Sequence, residues 1–100
     1  MSREKIYSLL RMRSVQHLGQ LSRVYIEPSG SLSLVWSDKP CPGLSIIPKA
    51  DTELRNAVAC KDHYACSSCG NTVKTEQKPE SRCKYCNAHQ WIPAALSLED

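Results

Sequence analysis

Apolar residues near the start of the chain fall at helical spacing: Ile6, Leu9 and Leu10 lie at i, i+3 and i+4. The pattern predicts a short helix over Ser2 to Met12, with Arg3, Lys5 and Arg11 elsewhere on its surface. Ser2 stands where an N-cap belongs, and Glu4 lies in the first turn, where the helix dipole favours a carboxylate. The period then shortens to two in "QLSRVYIEPSGSLSLVW", residues 20–36. Val24 and Ile26 share one face of a first strand, and Leu32, Leu34 and Trp36 share one face of a second. Arg23, Glu27, Ser31 and Ser33 point the other way. Pro28-Ser29-Gly30 forms the turn, because proline presets φ and glycine accepts a positive one. A two-stranded hairpin is marginal alone, so the helix is expected to cover its apolar face.

Residues 37–50 carry Pro40, Pro42, Gly43 and Pro48, which exclude a helix and disfavour a central strand. They read as a loop that lays Leu44, Ile46 and Ile47 on the core. Asp51 to Arg55 reads as one helical turn, and Ala57 to Cys66 as a second, weaker hairpin around Lys61-Asp62. The expected fold class is α+β: a helix-covered hairpin unit over residues 1–50, a small cysteine-bearing β unit over 57–93, and a mobile tail over 94–100.

Cysteine changes this picture most. The chain has 100 residues and six cysteines. A chain of this size buries a modest core, and its stability margin is thin. Cys66-x2-Cys69 and Cys83-x2-Cys86 are separated by residues 70–82, the spacing of a zinc ribbon built on two rubredoxin-type knuckles. Two thiolates separated by two residues can bind one ion while the intervening amides point at the sulfurs. The chain must then turn sharply, and Gly70 and Asn87, the residues most tolerant of a left-handed conformation, follow the two pairs. Thr72 to Gln77, the stretch entering Cys83, and His89 to Ile92 are the expected strands, with Val73 and Trp91 as the small apolar patch. One zinc per chain is expected, held by Cys66, Cys69, Cys83 and Cys86. Iron of the rubredoxin type accepts the same four thiolates. Four thiolates close the tetrahedron, whereas a catalytic zinc keeps a position open, so the expected metal is structural.

The remaining cysteines and histidines carry weaker signals. His89 reads as a strand residue, Cys41 as a loop thiol and His17 as a surface or turn residue. Cys60, His63 and Cys66 approach a common metal only if the ribbon is irregular. A redox CxxC normally opens a helix, whereas Cys66-Ser-Ser-Cys69 is followed by Gly, Asn and β-branched residues, which favours metal. Nothing in the chain forms a nucleophile–base pair, a phosphate-binding glycine loop or a pair of convergent carboxylates, so no enzymatic activity is expected.

The formal charge is +3. Zinc with four thiolates adds a formal −2, which brings residues 61–92 close to neutral. That unit lacks the basic excess that phosphate binding requires, so specific nucleic-acid binding is not expected. The remaining excess lies in Arg3, Lys5, Arg11 and Arg13, which suit a position beside the cytoplasmic face of a membrane. The sequence contains no signal peptide and no run of apolar residues long enough to span a bilayer, so a soluble chain in a reducing compartment is expected.

Residues 9–48 resemble the cytoplasmic region of YetF-type bacterial membrane proteins. The matching features are Leu10-Arg11 in the helix, the hairpin from Val24 to Glu27 through Gly30 to Leu32–Val35, and Pro42-Gly43-Leu44 with Pro48. That family is of unknown function and its members carry transmembrane helices upstream, so the resemblance implies an excised soluble domain or a natural stand-alone relative. The expected function is a non-catalytic interaction or assembly domain, the cytoplasmic tail of a membrane protein, with a protein partner or a second copy as its target. The ribbon lies outside the matching segment. The alternative is a free-standing zinc-ribbon protein that binds nucleic acid or its machinery.

Overall fold

The computed structural model describes residues 2–96. Helix α1, Arg3–Met12, starts at Ser2, whose side chain accepts from the Lys5 amide, and it carries Glu4 in its first turn as expected. It stops where Ser14 turns left-handed, with φ 67, and the Val15 amide reaches back to the Leu10 carbonyl. Strands β1, Leu21–Ile26, and β2, Leu32–Trp36, form the antiparallel hairpin. Its turn closes on Glu27 and Ser31, with Gly30 at φ 89. Leu10 (1% exposed), Val15, Leu32 and Ile46 form a core beneath it, packed by Ile6, Tyr7, Leu9, Leu18, Leu21 and Leu34. The helix covers only part of the hairpin: Val24, Ile26 (55% exposed) and Trp36 (47% exposed) stay open.

The second sheet has the order β4-β3-β5 and is antiparallel throughout, with β3 Ala59–Cys66, β4 Thr72–Lys74 and β5 Trp91–Ala95. Helix α2, Thr52–Val58, precedes it and is capped by the Asp51 side chain. It is longer than the single turn expected at that place.

The structure corrects the expectations for residues 57–66 and for the tail. Residues 57–66 do not form a hairpin. Lys61-Asp62 has no Gly or Pro beside it to force a reversal, and the chain runs on as β3, which finds its partners at residues 72–74 and 91–95. The tail does not begin at Ala94: Ala94 and Ala95 are buried in β5. They are small enough to lie flat under Leu44 and Ile47. Residues 97–100 lie outside the described residues.

The proline-rich loop joins the two sheets. Gly43 pairs with Ala95 through both backbone bonds, 3.0 and 2.8 Å, and Ser45 bridges to His17. Leu44, Ile46 and Ile47 are buried, as their apolarity predicts. Leu44 packs on Ala65 and Ala94 together with Tyr7 and Leu18, so apolar contact crosses from the hairpin to the second sheet. Gly19 and Gly43 meet backbone to backbone: a β-carbon on Gly19 would lie 1.8 Å from the Cys41 carbonyl oxygen. His17, read as a surface or turn residue, does stand at a turn but is fully buried. Its Nδ1 accepts from the Gly19 amide, and with Gln20 it caps the short turn over residues 18–20.

Candidate metal centre

The two cysteine pairs sit on two copies of one backbone turn. In the first, the Gly70 amide donates to the Cys66 carbonyl and the Cys66 amide donates to the Asn71 carbonyl, both at 2.8 Å. In the second, the Asn87 amide donates to the Cys83 carbonyl and the Cys83 amide to the Ala88 carbonyl, again at 2.8 Å. Gly70 has φ 86 and Asn87 φ 64, the left-handed turns that the sequence predicts. Strand β3 delivers Cys66, and β4 leaves directly after the first turn. The stretch entering Cys83 is irregular rather than a strand. The Ser67 amide donates to the Gln90 carbonyl at 2.9 Å and ties the first turn to the segment that leads from the second into β5.

The sulfurs converge. Cys66 Sγ lies 3.5 Å from Cys86 Sγ, and Cys69 Sγ lies 3.6 Å from Cys83 Sγ. All four Sγ atoms lie within 4.8 Å of one another, so the four cysteines can hold a metal ion. The spacing suits tetrahedral thiolate coordination, in which a metal–sulfur bond of about 2.3 Å puts the sulfurs about 3.8 Å apart. Cys66 and Cys83 are buried against Trp91, while Cys69 and Cys86 are exposed. Trp91 is fixed by its indole N–H, which donates to the Ser81 carbonyl at 3.0 Å.

The turns also set the protonation of the sulfurs. At Cys66 burial opposes ionisation, but the amides of Cys69 and Ser68 and the neighbouring thiols outweigh it, and the thiol pKa is lowered. The amides of Cys86 and Tyr85 pull the Cys83 thiol down to about 6. At Cys69 the Asn71 amide favours the thiolate, but burial and donation to the neighbouring sulfurs prevail and lift the thiol to about 11. Amides aimed at sulfur favour the thiolate, which is the form that binds metal.

The basic residues singled out in the sequence contact the backbone. The Arg3 guanidinium donates to the carbonyls of Ser67 and Ser68 in the first cysteine turn. Arg11 donates to the Ile46 carbonyl at 2.7 Å and Arg13 to the Leu32 carbonyl at 3.3 Å. These contacts give all three arginines a role in joining elements; Lys5 is exposed. Arg82 donates to the Asn87 carbonyl and braces the second turn.

A second group of donors lies on β3. Cys60, Asp62 and His63 come within 4.8 Å of one another. Cys60 and His63 therefore converge with Asp62, not with Cys66. Hydrogen bonds from Cys60 and then His63 hold the Asp62 carboxyl near 2. Burial, followed by the bond to Asp62, pushes the Cys60 thiol up.

No family model matches the chain. No solved structure matches it. Over 97 residues the chain is 29% identical to the UPF0702 transmembrane protein YcaP of Escherichia coli strain K12, a match that takes in 95% of this chain. The chain spans 42% of the length of that relative. A match of this extent runs through the segments of this chain that carry the hairpin and the two cysteine turns. The YetF-type assignment over residues 9–48 is set aside, because the similarity found is to a UPF0702 protein and runs through nearly the whole chain. Among the described residues no helix is long and apolar enough to cross a membrane.

Cys41 is an exposed loop thiol and His89 is exposed, and neither belongs to the cysteine cluster. Cys41→Ser and His89→Ala are therefore expected to leave metal content unchanged. Elemental analysis of the purified variants checks this, and a lost equivalent in either one would show that the ligand set is different.

Proposed function

We propose that this chain is a non-catalytic interaction and assembly domain of a membrane protein, lying on the cytoplasmic side, with one structural zinc in the four-cysteine centre. The observation that carries this reading is the similarity, across 95% of the chain, to part of a transmembrane protein. Four cysteine ligands support a closed, structural zinc rather than a catalytic one. The chain's own relation to a membrane is thus that of a domain carried beside spans located elsewhere in a longer protein.

The hairpin supports the assembly role and indicates the target. Register and strand alternation put Val24, Ile26 and Trp36 on the face that α1 leaves partly uncovered. Among the described residues this sheet has two strands, so both β1 and β2 are edges. A two-fold axis can set an apolar face and its unpaired edge against their own copy, and the target in this reading is a second copy. Near-neutral charge on the cysteine-bearing unit supports leaving nucleic acid out of the function.

Light scattering after size exclusion, over a range of protein concentrations, tests the assembly role. The wild type should approach twice the chain mass as concentration rises, and Ile26→Lys should hold it at one chain mass. A wild type that stays monomeric throughout would remove the assembly reading in this form.

A further inference from the structure

We propose that Cys60, Asp62 and His63 form a second, open metal site, suited to zinc or another borderline divalent transition ion. This inference is independent of the assembly role and of the four-cysteine centre.

The geometry begins with the pairing of β3 and β5. Ala59 pairs with Ala95 and Tyr64 with Pro93, so five steps along β3 are matched by two along β5. The extra chain bulges out between Ala59 and Tyr64. In a regular strand, positions 62 and 63 would point to opposite faces. The bulge removes that constraint and brings three donors from four consecutive residues to one point.

The atoms in contact are those that a metal would use. Cys60 Sγ lies 3.6 Å from His63 Nδ1, Cys60 Sγ lies 3.0 Å from Asp62 Oδ1, and His63 Nδ1 lies 2.9 Å from the same oxygen. Tetrahedral zinc with bonds of about 2.3 Å to sulfur and about 2.0–2.1 Å to nitrogen places those two atoms about 3.6 Å apart. The carboxylate oxygen would withdraw by about 0.5 Å to take its own position. The Asp62 side chain is 48% exposed and the His63 side chain 21%, so an ion has a path in and the carboxylate has room to move.

The same contacts argue against a nucleophilic cysteine. In a catalytic triad the carboxylate and the nucleophile engage opposite ring nitrogens of the histidine. Here both the Asp62 oxygen and the Cys60 sulfur meet Nδ1. Sulfur, nitrogen and carboxylate oxygen form a donor set that zinc accepts, and three protein ligands leave at least one position for water or another small ligand. Binding displaces the Cys60 thiol proton, and His63 binds as the neutral ring with its proton on Nε2.

Cobalt(II) titration of the full chain under reducing conditions tests the site, because thiolate-to-cobalt charge transfer counts the sulfurs at each step. The wild type should take up two equivalents: one with the spectrum of four thiolates, then a weaker one with the spectrum of a single thiolate. Cys60→Ser and His63→Ala should each lose the second equivalent and keep the first, whose retention also shows that the fold is intact. A wild type that stops at one equivalent overturns the proposal, as does a second equivalent that persists in both variants. Failure of the four-cysteine centre has a different signature: the first equivalent would survive Cys83→Ser.

Discussion

Cys83→Ser empties the four-cysteine centre and unfolds the sheet that carries it. Binding of structural zinc by small peptides is worth about 10–16 kcal/mol at neutral pH, and that free energy is coupled to folding. A whole domain is stable by about 5–15 kcal/mol, so losing a large part of the metal's contribution exceeds the margin of a segment this small. Cys83 is one of the two buried sulfurs and packs on Cys66 and Trp91. Serine at this position would offer a poor ligand and an unpaired hydroxyl against an indole. The damage spreads through β3, because Ala65 lies under Leu44 in the core shared with the hairpin. The expected results are zero or strongly reduced zinc by elemental analysis and a red shift of Trp91 emission, and a strong chelator should reproduce the same shift in the wild type. Acid should release the metal as well, since protons compete for the thiolates that the ion requires. A Cys83→Ser protein with a full equivalent of zinc would show that Cys83 is not a ligand.

Leu10→Ala should cost about 2–5 kcal/mol, the range for emptying a leucine site in a packed core. Leu10 is buried with Val15, Leu32 and Ile46, and this cluster joins α1, β2 and the proline-rich loop. Among the described residues the hairpin has no third strand, so little else supports it once the helix loosens. For a domain of this size the loss corresponds to a drop in melting temperature of about 10 °C or more. Thermal unfolding followed by circular dichroism measures it. A drop of under about 3 °C, less than 1 kcal/mol produces, would mean that the helix is not the hairpin's main support.

Much of the cysteine centre was legible because its determinants are local. A pair of thiolates two residues apart, followed by a residue that tolerates positive φ, specifies its own turn, and Gly70 and Asn87 take that conformation. The hairpin turn at Gly30, the Ser2 cap and the burial of Leu44, Ile46 and Ile47 were readable for the same reason: each depends on a residue and its near neighbours.

Tertiary structure decided what depends on distant partners. His17 looked like a turn residue because nothing adjacent in sequence needs it, yet the approach of residues 43–45 buries it. Arg3 read as a surface cation, and only the packing of α1 beside the first cysteine turn gives it the carbonyls of Ser67 and Ser68. Ala94 and Ala95 resembled a loose tail, since alanine carries little pattern; pairing with Ala59 and Gly43 makes them a strand. The convergence of Cys60, Asp62 and His63 was the least visible feature. Positions 60, 62 and 63 do not share a face of any regular strand, and the bulge that unites them arises from the mismatch with β5, about 30 residues further along the chain.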